Sequence, residues 1–298
     1  MNQLSKLALV SDETLLRSPG AILALQALLA FALVAWLYSS ILLHLVLQWH
    51  ADSNFSYGFL VPAFSAFVLW KDRSRLLALP RNPSSWGLLL VALAQLVLVL
   101  GVLGAELFLA RVSLLFLIAG LVVVFLGTNH LRAAWFPLAF LLLMIPFPAL
   151  VFNELTFPLQ QVSSRIAAGL LPLLGVPVLR EGNIINLPTM SLEVADACSG
   201  IRSLLSLITL AVIYGYLTHS SKRVRIALLL AAVPIAVFAN SLRIVVTGVL
   251  VQYWSPGTAE GFFHSFSGWL VFLVSLAMLI LVQQALTGAA SWRPHGHN

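Results

Sequence analysis

Apolar runs of roughly 20 residues recur along this chain, and nothing else in the sequence constrains its fold so strongly. A run of that length satisfies all its backbone hydrogen bonds inside a bilayer only as a helix. Eight runs are predicted as spans: about Ala21 to Leu47, Phe55 to Trp70, Trp86 to Leu103, Leu107 to Leu126, Ala133 to Val151, Cys198 to Leu217, Ile226 to Val251 and Phe263 to Leu286. The second is short and carries Pro62. Only 9% of the 298 residues are charged and 60% are hydrophobic, whereas a soluble domain carries about 25% charge. So few charges cannot cover a water-exposed surface. The expected fold is all-α, a polytopic membrane helix bundle forming one membrane domain over residues 1–298, with no internal repeat. The first apolar run is longer than the core of a signal peptide, so it reads as a retained span.

Basic residues orient the bundle. With the N-terminus in the cytoplasm, Lys6, Arg17, Lys71, Arg73, Arg75, Arg81, Arg132, Lys222, Arg223, Arg225 and Arg293 all fall inside, 11 of the 16 Lys and Arg. Arg111, Arg202 and Arg243 sit in or at the edges of spans, and only Arg165 and Arg180 lie in an outer loop. Both termini are therefore expected in the cytoplasm. The loop bias accounts for the net charge of +6 without a nucleic-acid partner; membrane lipid is the expected surrounding.

One outer loop is large enough to carry structure, Phe152 to Ala197. Leu155 to Leu174 is apolar but interrupted by Gln160, Gln161, Ser163, Ser164 and Arg165. It reads as an interfacial or half-buried helix, with a ninth span as the alternative. Gly175, Pro177, Gly182-Asn183 and Pro188 then punctuate short extended runs, Ile184 to Leu187 and Leu192 to Val194. A small β-hairpin is predicted there, feeding the chain into Cys198 and the sixth span.

Three residues carry candidate chemistry. Cys198, the one cysteine, is placed by the pattern at the first turn of an outer helix end, beside Ser199 and Gly200. Helix N-termini lower thiol pKa values, and their free N–H groups can hold an oxyanion; an inert buried thiol is the alternative. Arg202 follows on the same helix face. Arg243 lies inside the seventh span about eight residues from its outer end, roughly 12 Å deep. That is too deep for easy snorkelling, so either a functional guanidinium or a structural pair is expected. Asn240, three residues back, shares its face. His264 opens the eighth span at the outer surface. A thiol, an imidazole and a guanidinium on the last three spans, about 198–217, 226–251 and 263–286, make the parts of a cysteine acyl-transfer site. The other outer histidines are His44 and His50, and His50 is the next candidate base. The sequence has no cysteine pair, no His-Glu-x-x-His pattern and no Gly-rich phosphate loop, so neither a metal nor a cofactor is expected.

These residues resemble those of the exosortases, bacterial integral membrane proteins regarded as cysteine transpeptidases. The resemblance rests on Val194-Ala195-Asp196-Ala197-Cys198-Ser199-Gly200-Ile201-Arg202-Ser203, on Asn240-Ser241-Leu242-Arg243, and on His264 followed by Gly268. Tyr57-Gly58-Phe59-Leu60-Val61-Pro62 also resembles a family motif. Two positions depart from the family: Asp196 where Glu is common, and Tyr57 where His is common, which leaves Tyr57 outside the catalytic set. The resemblance covers about residues 50 to 285. It implies catalysis by Cys198, Arg243 and His264, with Arg202, Asn240, Ser199 and Gly200 around the substrate. It also implies partners: exported proteins with a C-terminal Pro-Glu-Pro-type sorting signal, cleaved through a thioester at the outer side of the bacterial inner membrane, in systems that accompany exopolysaccharide production. The alternatives are a permease for a lipid-linked glycan, using Arg243 and His264 as binding groups, and a non-catalytic subunit of an export complex. The sequence leaves the oligomeric state open.

Overall fold

Leu, Val, Ala and Phe runs that lack charge have no way to satisfy their backbone except within themselves, and helices dominate the chain accordingly. The structure, a computed structural model, describes residues 19–193, 200–218, 221–254 and 262–291. These form two compact units: within the described residues, one comprises the chain up to Gln48 with Ser65–Ile145, and the other comprises Trp49–Phe64 and Pro146 onward.

The first unit contains α1 (Pro19–Leu37), most of α2 (Ser39–Ala51), much of α3 (Leu60–Lys71), α4 (Arg73–Ala78), α5 (Trp86–Leu103), α6 (Leu107–Phe125), α7 (Thr128–Ala133) and α8 (Trp135–Phe140). Helices α5 and α6 are an antiparallel pair joined across Gly104 to Glu106. Small residues let their backbones touch: a Cβ on Gly101 would lie 2.6 Å from the Ala110 nitrogen, and one on Gly87 2.7 Å from the Gly120 oxygen. In lipid, where no hydrophobic effect drives helices together, such close packing is a principal source of association. The Tyr38 hydroxyl joins the pair through a buried 2.8 Å hydrogen bond with Ser113 Oγ.

The second unit holds the large loop and the last three helices. Helix α9 (Ala149–Leu170) runs into a 3₁₀ turn at Pro172–Leu174, then strands β1 (Leu179–Glu181), β2 (Ile184–Asn186) and β3 (Ser191–Glu193). The predicted hairpin is β2 and β3, antiparallel with Ile185 opposite Leu192. The third strand, β1, pairs with β2 across the two-residue turn Gly182-Asn183, where Gly182 has φ 66°. The sheet packs on α9 and on α11 (Lys222–Tyr253), burying Ile185, Leu187 and Leu192 with Ala167, Leu171, Ile244 and Val245. Helices α10 (Gly200–Leu217), α11 and α12 (Phe262–Ser291) share a core of Leu207, Ala211, Leu228, Ala232, Ala236 and Leu279. Pro234 lies within α11 without ending it.

Among the described residues four helices are long and apolar enough to cross a membrane, or up to six if two bent pairs each count as one span. The protein is a multi-pass membrane protein, but eight uniform spans are not what these residues form. The first predicted span bends by 61° between Leu37 and Ser39, where Ser39 Oγ donates to the Trp36 carbonyl at 2.8 Å; hydroxyl back-bonding and serine pairs both bend helices. The second predicted span is a 3₁₀ segment, Ser53–Phe59, followed by the 12 residues of α3, too few to cross alone. The fifth is broken. After α8 and a 3₁₀ turn at Leu141–Met144, Ile145 and Pro148 are extended, because a proline forces the residue before it out of the helical region and lacks the N–H to continue the ladder.

Candidate active site

Helix α11 brings two of the sequence-predicted residues together one turn apart. Asn240 is 2% exposed and Arg243 9%. Asn240 Nδ2 is enclosed and makes no hydrogen bond, so a polar donor waits unused beside a buried guanidinium. An open crevice lined by Leu242, Arg243 and Val246 of α11 and by Leu270, Val271 and Val274 of α12 borders Arg243. Ser241 is spent locally, its hydroxyl bonded to the Val237 carbonyl at 2.8 Å.

Arg202 is half-buried on the first turn of α10. Its Nε donates to Asn54 Oδ1 at 3.2 Å, and it lies within electrostatic reach of both Arg243 and Asp52. Two guanidiniums thus act on one another electrostatically in this part of the unit. Sequence reasoning missed what holds Arg202. Asp52 caps the 3₁₀ segment Ser53–Phe59, its Oδ1 accepting the Asn54 N–H at 2.8 Å, and so presents the Asn54 amide to α10. The segment is seated by aromatic contacts, Phe55 on Phe152 with centroids 5.6 Å apart and Trp49 edge-on to Phe59 at 5.1 Å. Gly58 lies flat against the Trp49 ring, where a Cβ would be 2.6 Å from Cδ1 and would also collide with Nε1. An Asx cap five residues before Tyr57, Asp52, was the one local signal for this arrangement.

The sheet flanks Arg243, since its buried Ile185 and Leu192 pack with Ile244 and Val245, the next residues of α11. A hydrogen-bond cluster fixes its orientation. Ser164 Oγ donates to the Gly182 carbonyl at 3.1 Å, and Arg180 Nη1 donates to Gln161 Oε1 and Ser164 Oγ, each at 3.2 Å. Helix α9 is thus inside out for a water-soluble helix: Thr156, Gln160, Ser163 and Ser164 are buried while Leu150, Leu155, Phe157 and Val162 are exposed. The predicted half-buried helix is there, starting earlier than expected, and its polar interruptions face the protein.

Gly200 opens α10, and His264 is the third residue of α12. Cys198 and Ser199 lie outside the described residues. The helix corresponding to the predicted sixth span starts at Gly200 among those described. Packing of the last three helices against one another, which a joint site requires, is present. Among the described residues no group of three or more His, Cys, Asp or Glu comes together as a metal site would.

The family model of the transmembrane exosortases matches residues 49–281. No curated protein and no solved structure matches the chain.

Proposed function

We propose, from the premise that this chain belongs to the transmembrane exosortase family, that it is a membrane-embedded cysteine transpeptidase acting on the C-terminal sorting signals of exported proteins. The observation that carries the reading is a buried Arg243 with a spare Asn240 donor, on a helix packed between the one that follows Cys198 and the one that carries His264. Val271 of α12, the helix that carries His264, lines the crevice beside Arg243.

In this reading the Cys198 thiolate attacks the carbonyl carbon of the scissile peptide bond. The resulting oxyanion is met by Arg243 and the Asn240 amide. His264 gives a proton to the departing amine as the C–N bond breaks, leaving a thioester on Cys198. An acceptor nucleophile then loses its proton to His264, attacks the thioester and releases the Cys198 thiolate. Arg202 binds an acidic side chain of the sorting motif, such as the Glu of a Pro-Glu-Pro sequence, with Ser199 and Gly200 lining the substrate path. The chain sits in the bacterial inner membrane with its termini in the cytoplasm and its site outside, in a system linked to exopolysaccharide. The sheet roofs the site, and substrate enters sideways from lipid with its own membrane helix.

The test is co-expression with a reporter bearing a Pro-Glu-Pro motif, a membrane helix and a basic tail. Wild type cleaves the tail, and Cys198→Ala inserts normally and leaves it intact. Full cleavage by Cys198→Ala removes the nucleophile assignment and the transpeptidase reading with it.

A further inference from the structure

A second buried cation lies far along the sequence from the acyl-transfer residues. Arg111 is the fifth residue of α6 and only 4% exposed. Its Nε is enclosed without a hydrogen-bond partner. Several polar groups of the same unit have partners of their own. Tyr38 and Ser113 bond each other at 2.8 Å, Ser65 Oγ donates to the Pro137 carbonyl at 3.0 Å, and Glu106 caps the helix by accepting the Phe108 N–H at 3.3 Å. The remaining described acid of the unit, Asp72, stands at the start of a separate short helix, α4, and is not paired with Arg111, whose Nε has no partner.

An ionised guanidinium taken out of water without a counter-charge is strongly unfavourable. The burial leaves little of the guanidinium open to bulk water. The position supplies the answer. Arg111 is about 6 Å along α6 from its start at 1.5 Å per residue, and helical side chains lean back toward the N-terminal end. That lean carries the guanidinium toward the start of α6, and at the ends of membrane helices the abundant anions are lipid phosphates. We propose that Arg111 is a binding site for a phosphate group at the membrane interface, held in the two-pronged geometry that arginine offers such oxyanions. The shared chemistry is a phosphate oxyanion; a phospholipid headgroup and a free phosphate are its two sources.

The experiment is thermal unfolding of the purified, delipidated full chain in a neutral detergent. Wild type is compared with Arg111→Leu and Arg111→Lys on adding phosphatidylglycerol, uncharged diacylglycerol or inorganic phosphate. Phosphatidylglycerol raises the wild-type midpoint by roughly 5 °C at saturation, and diacylglycerol does not. Arg111→Leu responds to both lipids alike, and without lipid it is no less stable than wild type because the charge it loses was uncompensated. Arg111→Lys keeps the charge but loses the fork, and needs about tenfold more phosphatidylglycerol for half its shift. If inorganic phosphate alone reproduces the wild-type shift, the ligand is the free ion; if only the lipid does, it is the headgroup. An equal phosphatidylglycerol shift in wild type and Arg111→Leu overturns the proposal. So does a loss of several degrees for Arg111→Leu in lipid-free detergent. Should Arg111→Leu fail to fold, an unchanged half-shift concentration in Arg111→Lys overturns it instead.

Discussion

Removing the Asn54 side chain isolates the link between the 3₁₀ segment and α10. Arg202 Nε donates to Asn54 Oδ1 at 3.2 Å, longer than the 2.7–2.9 Å of a strong charge-assisted bond. A hydrogen bond to a charged group contributes about 1.5–3 kcal/mol. The long geometry selects the low end, and both residues are half-buried, so water recovers part of the loss. About 1 kcal/mol of coupling is expected. Arg202→Met is not a clean probe alone, because it also removes repulsion between Arg202 and nearby Arg243. The thermodynamic cycle of Asn54→Ala, Arg202→Met and the double variant cancels that contribution. In thermal unfolding, 1 kcal/mol corresponds to about 2–4 °C. The double variant is therefore about 2–4 °C more stable than the sum of the single losses predicts. Additive losses within half a degree would show that the bond carries no net coupling, and that Asn54 does not position Arg202.

Three further outcomes follow from the geometry. Gly58→Ala drives a Cβ into the Trp49 ring and costs about 1–3 kcal/mol as overpacking; Trp49→Phe in the same background recovers part of the lost midpoint, and an unchanged midpoint in Gly58→Ala contradicts the packing. Arg243→Lys cleaves a sorting-signal reporter nearly as poorly as Arg243→Ala, since a point charge does not replace a planar fork; wild-type turnover with Lys shows that charge alone suffices. His264→Ala slows cleavage by about 10² to 10⁴, the range for a general acid–base, while Cys198 still reacts with an externally added thiol reagent. A rate within a factor of two of wild type removes His264 from proton transfer.

Hydrophobic runs and proline positions made much of the bundle readable, and particular residues mark where they stopped. The long α11 was visible because its apolar run is continuous through Pro234 and Gly248, and packing on both sides holds it through that proline. The predicted fifth span ran straight across Ile145-Pro146-Phe147-Pro148, where two prolines in three residues end the ladder. Averaged over a long apolar run, hydropathy absorbs an isolated proline and ignores its missing N–H. The bend after Leu37 has no proline or glycine; it depends on the hydroxyls of Tyr38 and Ser39, and one of their partners, Ser113, is 75 residues away. Strand β1 escaped notice because three residues, Leu179–Glu181, offer no alternation to read. At the site, Asn240 and Arg243 were legible because polar side chains inside an apolar run stand out. Asn54 was not, because an asparagine in a loop looks ordinary until the helix it serves is in place.

The inverted face of α9 sets an order of events during synthesis. Several of its buried polar groups find partners that emerge later: Gln160 and Ser164 in the Gly182-Asn183 turn, and Ser163 at the Val237 carbonyl of α11, 3.5 Å away and some seventy residues further on. Until then, a bilayer interior would leave those groups without partners. The segment must therefore wait in the headgroup layer, or beside the insertion machinery, until α11 has entered. A chain truncated before Lys222 would then be held at the interface and cleared by quality control, although its early spans are already complete.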